Sequence, residues 1–165
     1  MDQTTQLSPR GAIALGLLVI AMGSLFIMLA LGVIHPQGAT ADQTPPWIGV
    51  AAGLIFVFGG VALILGYAIA GGVSPDGDLL PGTPWGIRLT QFLLALAITG
   101  AMAAIASWVA FGPGPRAFSM TGSFAGAAPA SQWLGRAAFG FGAVLLYLFI
   151  AVFAVVGIRR LRSRR

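Results

Sequence analysis

The chain contains four long apolar stretches that carry no Asp, Glu, Lys, Arg or His. They lie at 11–34, 48–70, 89–111 and 137–158. A helix needs about 20 apolar residues to cross a bilayer, so each stretch is long enough for one span. Four spans occupy most of the 165 residues. The sequence therefore predicts one all-α transmembrane domain over 1–165, an integral membrane four-helix bundle.

The composition excludes several classes of protein. With 58% hydrophobic and 8% charged residues, the chain is neither disordered nor an ordinary soluble domain. The absence of cysteine excludes disulfides, thiol catalysis and Cys-based metal sites. Proton relays and ion pathways normally place ionisable groups at membrane depth, and the four stretches have none.

The basic charge is concentrated at the C-terminus. Five of the nine arginines lie in the last seven residues, directly after the fourth stretch. Such a run beside a span is an orientation signal and contacts anionic lipid headgroups, so we expect a bilayer partner rather than nucleic acid. These lipid-contacting residues are Arg159, Arg160, Arg162, Arg164 and Arg165.

The distribution of arginine also predicts the topology. If both termini are cytoplasmic, the inner side holds seven arginines and the outer side only Arg116 and Arg136. The positive-inside rule favours this arrangement. It makes 71–86 the inner loop, 35–47 and 112–132 the outer loops, and 159–165 a basic cytoplasmic tail.

An alternative concerns the first stretch. Ala39-Thr40-Ala41 resembles a signal-peptidase site. The apolar run before it is longer than the 7–15 residues of a usual signal-peptide core. Retention of the first span is therefore favoured, and cleavage is the alternative.

The two halves of the chain share a pattern. Trp47-Ile48-Gly49 with Ala51-Ala52 opens the second stretch, and Trp133-Leu134-Gly135 with Ala137-Ala138 precedes or opens the fourth. One interpretation is a helical hairpin used twice in parallel. The other is recurrence by composition alone, because Trp and Gly are common at membrane entries.

Small residues are placed for close helix packing. Gly49-x-x-x-Gly53 and Ala138-x-x-x-Gly142 predict packing seams, either within the chain or between copies of it. The third span is rich in small residues, and we expect it at the centre of the bundle.

Candidate chemical groups are few. Asp76-Gly77-Asp78 fits a solvated turn better than a cation site, because a hard cation needs six or more oxygen ligands. His35 has only Asp42 as an acidic neighbour on its side and is interpreted as a loop residue. No catalytic, cofactor or metal site is predicted, and we expect a protein that is not an enzyme.

Two arginines on the outer face are the better candidates. Arg116 and Arg136 can bind headgroup phosphate, an anion or a protein partner. Arg136 can instead donate to backbone carbonyls and hold the outer loop. Within that loop, 116–124 alternates weakly and can form a short hairpin.

Two strings in the second half resemble a known group of proteins. They are Phe111-Gly112-Pro113-Gly114-Pro115-Arg116-Ala117-Phe118-Ser119 and Gly135-Arg136-Ala137-Ala138-Phe139-Gly140-Phe141-Gly142-Ala143. They are similar to segments of small, uncharacterised four-span proteins of the bacterial inner membrane. The resemblance implies that location and a shared outer-face role for Arg116 and Arg136, but no reaction.

These observations lead to one expected function and its alternatives. We expect a non-enzymatic inner-membrane protein that serves as an accessory or assembly subunit of a membrane complex. A homo-oligomeric transport or channel unit, or a lipid-binding membrane protein, is the alternative.

Overall fold

The structure is a computed structural model, and it describes residues 8–34, 45–71, 82–114, 118–122, 126–130 and 132–163. Within these ranges, four helices are long and apolar enough to span a membrane, which confirms a multi-pass helical membrane protein. The helices are α1 (Pro9–Ala30), α2 (Pro46–Leu63), α3 (Trp85–Phe111) and α4 (Gln132–Ser163). A π-helical segment, Ile64–Ile69, continues α2 and is called the π-segment below.

Proline and serine set where the helices begin. The Ser8 hydroxyl accepts a hydrogen bond from the Gly11 amide at 3.2 Å, and Pro9 is the first residue of α1. Proline suits this position because the first amides have no partner inside the helix. Pro84 likewise precedes α3. The first three helices therefore begin two to four residues before the apolar stretches that predicted them.

α1 ends earlier than the apolar stretch that predicted it. Its last residue is Ala30, and the chain turns at Gly32, which has φ +68°. Glycine adopts this left-handed conformation without steric cost. Apolar residues after the turn therefore lie outside the helix although they belong to the same apolar run.

α4 is much longer than its apolar core. It has 32 residues, which corresponds to about 48 Å at 1.5 Å per residue. The hydrocarbon layer is about 30 Å thick, so α4 extends beyond it. Arg159, Arg160 and Arg162 belong to this helix rather than to a separate tail.

A short antiparallel hairpin joins α3 to α4. Strand β1 (Phe118–Gly122) pairs with β2 (Gly126–Ala130), so that Met120 lies opposite Ala128. The weak alternation predicted a hairpin here, and the structure has one that is displaced toward the C-terminus.

The helices pack in chain order. α1 packs mainly on α2, α3 packs mainly on α4, and the α2–α3 contact is less extensive. Between the described residues of α1 and α4 there is no substantial contact. Among the described residues α3 lies between α2 and α4, and α2 lies between α1 and α3, so the two helices are equally internal and the bundle is open. We call α1–α2 the first hairpin and α3–α4 the second hairpin.

Glycines bring α1 and α2 into backbone contact. A Cβ added to Gly23 would lie 2.6 Å from the Gly53 carbonyl oxygen, and one on Gly60 would lie 2.5 Å from the Gly16 carbonyl oxygen. Real Cβ atoms essentially never come so close. On each helix the two glycines are seven residues apart, so they lie on the same face. This spacing lets two antiparallel helices meet along their length.

The second hairpin packs differently. The ring of Phe92 lies against Gly157 and is 5.3 Å from the ring of Phe153, measured between centroids. The Ser107 hydroxyl donates to the Tyr147 hydroxyl at 3.3 Å. Large aromatic groups and a polar contact thus replace the glycine contacts of the first hairpin.

We expect alanine substitutions at two adjacent glycines to have opposite effects. Gly60→Ala places a methyl group against the backbone of α1 and should lower the free energy of unfolding by about 1–3 kcal/mol, the usual cost of overpacking. In Gly59→Ala the methyl group meets nothing within 4 Å. Because alanine favours helix by about 1 kcal/mol over glycine, this control should be neutral or stabilising.

The measurement is unfolding of each purified variant in mixed micelles, followed by circular dichroism. Equal effects at the two positions would show that the glycine contact does not hold α1 on α2.

Candidate functional site

The two ends of the bundle differ in chemistry. At the hairpin end, α1 and α3 end, α2 and α4 begin, and the β1–β2 hairpin connects the second pair of helices. At the opposite tail end, α4 carries its arginines. These names do not depend on which side of the membrane each end faces.

Arg136 is the charged side chain that the structure describes at the hairpin end, and it makes hydrogen bonds to another helix. It lies in the second turn of α4, and its Nε donates to the Ala110 carbonyl at 3.0 Å. Its Nη2 donates to the Gly112 carbonyl. The guanidinium thus bridges the start of α4 and the end of α3.

The position of this guanidinium has a clear electrostatic reason. The last carbonyls of a helix have no partner within it and carry partial negative charge. Ala110 and Gly112 are buried, so water cannot easily satisfy these carbonyls. A planar cation with several donors can satisfy two of them at once. We call this arrangement the Arg136 clasp.

The tryptophans at the hairpin end have unequal surroundings. Trp47 at the start of α2 packs edge-on against Trp108 near the end of α3, with ring centroids 6.3 Å apart and planes at 89°. Edge-to-face packing is a favourable aromatic geometry. Trp133, by contrast, is 71% exposed, as expected of a side chain that reaches the interfacial region. The matching Trp–Gly strings of the two halves therefore occupy different environments.

A second polar contact lies near the tail end. The Gln91 amide nitrogen donates to the Ala62 carbonyl at 2.6 Å and links α3 to α2. Ala62 lies two residues before the π-segment. Side-chain hydrogen bonds between helices are common in membrane bundles.

Three other polar side chains within the spans bond to their own helix. The Ser24 hydroxyl donates to the Ile20 carbonyl at 2.9 Å, Thr90 to Gly86 at 2.9 Å and Thr99 to Ala95 at 2.8 Å. Each spans four residues, a common way for these side chains to satisfy their hydroxyl groups in a helix. These three hydroxyl groups therefore have their hydrogen bonds within the helix that carries them.

Several predicted residues lie outside the part of the chain that the structure describes. These are Arg116, Asp76, Asp78, His35, Asp42, Arg164 and Arg165; for Arg160 and Arg162 only the helical backbone is described. Their predicted roles stay predictions. All four acidic residues of the chain fall outside the described ranges.

The predicted seams have different surroundings. Gly49 faces the Ala30 methyl group, and Gly53 faces Ile27 and the Gly23 backbone, so both contact α1. On α4, Ala138 is exposed and a Cβ on Gly142 would meet nothing within 4 Å. The α2 seam is therefore occupied within the chain, whereas the α4 seam faces away from the other helices.

Sequence reasoning missed two of these contacts. The seven-residue spacing of Gly16 with Gly23 and of Gly53 with Gly60 is visible in the sequence and could have paired the helices. The acceptor of Gln91 could not have been predicted, because nothing in the sequence indicates which backbone carbonyl accepts a hydrogen bond from a glutamine within a span.

No protein-family model, curated protein or solved structure matches this chain. The resemblance to small four-span inner-membrane proteins therefore stays a prediction.

We expect Arg136 substitutions to distinguish the clasp from lipid anchoring. Arg136→Ala should lower the free energy of unfolding by about 1.5–3 kcal/mol, the usual value of a hydrogen bond to a charged group. Arg136→Lys should recover only part of this loss, because an ammonium lacks the planar fork that reaches two carbonyls.

Unfolding in mixed micelles with and without anionic lipid provides the measurement. A headgroup anchor would behave otherwise, since lysine also binds phosphate as a point charge. Full recovery by lysine that requires anionic lipid would contradict the clasp.

Proposed function

We propose that this protein is a non-enzymatic, multi-pass protein of the bacterial inner membrane that acts as an accessory or assembly subunit of a membrane complex. The observation that carries the proposal is the open packing of the helices, in which the other described helices leave the outer sides of α1 and α4 uncovered. Large apolar side chains line these two helices, among them Leu17, Leu18, Phe141, Leu148 and Val152, each at least 56% exposed.

The polar contacts support the same proposal. Arg136 and Gln91 bond to backbone carbonyls, while Ser24 and Thr99 bond within their own helices. These hydrogen bonds stabilise the bundle, which supports a packing role for these four side chains. An open bundle with apolar sides can pack against the spans of another protein, where fit and close approach determine association.

The proposed orientation places both termini in the cytoplasm. In it, the tail end carries Arg10, Arg88 and Arg159 on the cytoplasmic side, and α4 extends its arginines toward anionic headgroups. The hairpin end then faces outward.

A cysteine scan should test this orientation directly, because the chain has no cysteine of its own. We expect Pro113→Cys, at an exposed position of the hairpin end, to react with a membrane-impermeant maleimide in intact spheroplasts. Ser163→Cys, at the tail end, should react only after the membrane is opened. The reverse pattern would invert the topology.

Native mass spectrometry after gentle extraction tests the function itself. An accessory subunit should leave the membrane as one heteromeric mass with a stoichiometric partner. A bare monomer, recovered under conditions that preserve other complexes of the same membrane, would contradict the proposal.

The alternative is a homo-oligomeric transport or channel unit, and the open seam of α4 favours it. Ala138 and Gly142 are free to meet a second copy, whereas Gly49 and Gly53 already contact α1. If copies associate through α4, Gly142→Ile should lower the oligomeric mass in native spectra, whereas Gly59→Ile, at an open position on α2, should leave it unchanged. An unchanged mass in both variants would exclude this interface.

A lipid-binding protein is the other alternative. The Arg136 guanidinium has five N–H donors, and two of its nitrogens donate to α3. Among the described residues no contact is given for its other donors, and we propose that these bind a headgroup phosphate at the hairpin end. The lipid dependence of Arg136→Lys described above separates this alternative from a purely structural role.

A further inference from the structure

The two hairpins are held together less firmly than each is held internally. Within the first hairpin, backbone meets backbone at Gly16, Gly23, Gly53 and Gly60. Within the second, the Arg136 clasp joins the helices at one end and aromatic packing joins them nearer the other. The α2–α3 contact between the hairpins is less extensive than either.

The difference in contact between and within the hairpins matters because the helices lie in lipid. Lipid tails are as apolar as leucine, so helices in a bilayer gain little from burying apolar side chains. Close packing and hydrogen bonds determine which interfaces hold. The α2–α3 interface is therefore the place where the bundle can most easily change its geometry.

Two contacts mark the ends of that interface. At the hairpin end, the Trp47 and Trp108 rings meet edge-on. Ring packing of this kind tolerates small rotations better than a single hydrogen bond does. At the tail end, the Gln91 amide donates to the Ala62 carbonyl at 2.6 Å, a contact that holds only while both atoms stay in place.

The helix that accepts this hydrogen bond is irregular at the same level. The π-segment begins two residues after Ala62, and its wider turns include the bond from the Ala70 amide to the Leu65 carbonyl at 2.9 Å. Single π-turns often occur at functional sites, and they are also places where helices bend. α2 is thus irregular where the second hairpin is attached to it.

We infer that the chain contains a built-in hinge between its two hairpins. Gln91 is the latch that holds them together at the tail end, Trp47 and Trp108 form the pivot at the hairpin end, and the π-segment absorbs the change in α2. When the latch opens, the tail ends separate while each hairpin keeps its internal packing. The inference concerns the chain alone and does not depend on the proposed accessory role.

Pairs of spin labels on introduced cysteines can test the hinge in the full-length protein, reconstituted in nanodiscs. Labels at Arg10 and Arg159 report the distance between the two hairpins at the tail end. Labels at Arg10 and Gly59, an open position of α2 before the π-segment, report the first hairpin alone, and labels at Gly86 and Arg159 report the second. Leu31 with Phe111 reports the distance between hairpins at the pivot.

The test variant is Gln91→Leu, which removes the donor and keeps a similar volume. Thr90→Val is the matched control, because the Thr90 hydroxyl bonds only to the Gly86 carbonyl of its own helix among the contacts described. Gln91→Asn keeps the amide but shortens the side chain by one methylene, so it separates reach from polarity.

We expect Gln91→Leu and Gln91→Asn to add a longer-distance population for Arg10 with Arg159. The ratio of open to closed states should rise about threefold, the average effect of an interhelical hydrogen bond in a membrane protein. The other three label pairs, and Thr90→Val at all pairs, should keep the native distances.

Two results would overturn the hinge. Unchanged distances between Arg10 and Arg159 in both Gln91 variants would show that this bond is not a latch. Broadening at all four label pairs would show general loosening of the bundle instead of movement of two intact hairpins.

Discussion

The close approach of α1 and α2 is the constraint on which the rest of the structure depends. Water drives apolar side chains together in soluble proteins, but a bilayer provides no such force between helices. Gly23 with Gly53 and Gly16 with Gly60 let two backbones meet, which increases dispersion contacts over the length of both helices. The first hairpin is thereby a closely packed unit.

The second hairpin depends on a different balance of forces. α3 and α4 meet through larger side chains, including the rings of Phe92 and Phe153. The Arg136 clasp satisfies the buried carbonyls at the end of α3 with a positive charge, which is favourable at this end of a helix. Two hairpins of similar sequence pattern are thus stabilised by different interactions, and their shared pattern remains open to both interpretations.

The open order of the helices connects the fold to the proposed function. Because α1 and α4 do not close on each other among the described residues, their outer sides are available to lipid or to another protein. The uncovered seam at Ala138 and Gly142 lies on one of these sides. The Gln91 hydrogen bond, in contrast, lies between the hairpins and determines their relative position.

The sequence by itself determined the number and approximate extent of the spans. This was possible because the cost of placing a charge in lipid leaves a direct mark on composition. The sequence predicted the ends of the helices less accurately, because proline and glycine there take precedence over the apolar pattern. Pro9 and Pro84 lie at the starts of helices that begin before their apolar stretches, and Gly32 follows the end of α1, which ends before its apolar stretch does. The basic residues after the fourth stretch gave no sign that α4 continues through them.

Only the tertiary structure decided which helices meet and what the polar side chains bond. Arg136 had two or more plausible partners in the sequence, and its choice of the Ala110 and Gly112 carbonyls depends on where α3 ends relative to α4. Gln91 and Ala62 are 29 residues apart and meet only after α2 and α3 pack. The composition of a segment shows whether it lies in lipid or in water. The hydrogen-bond partners of a side chain, in contrast, depend on distances between helices that are set only when the helices have packed.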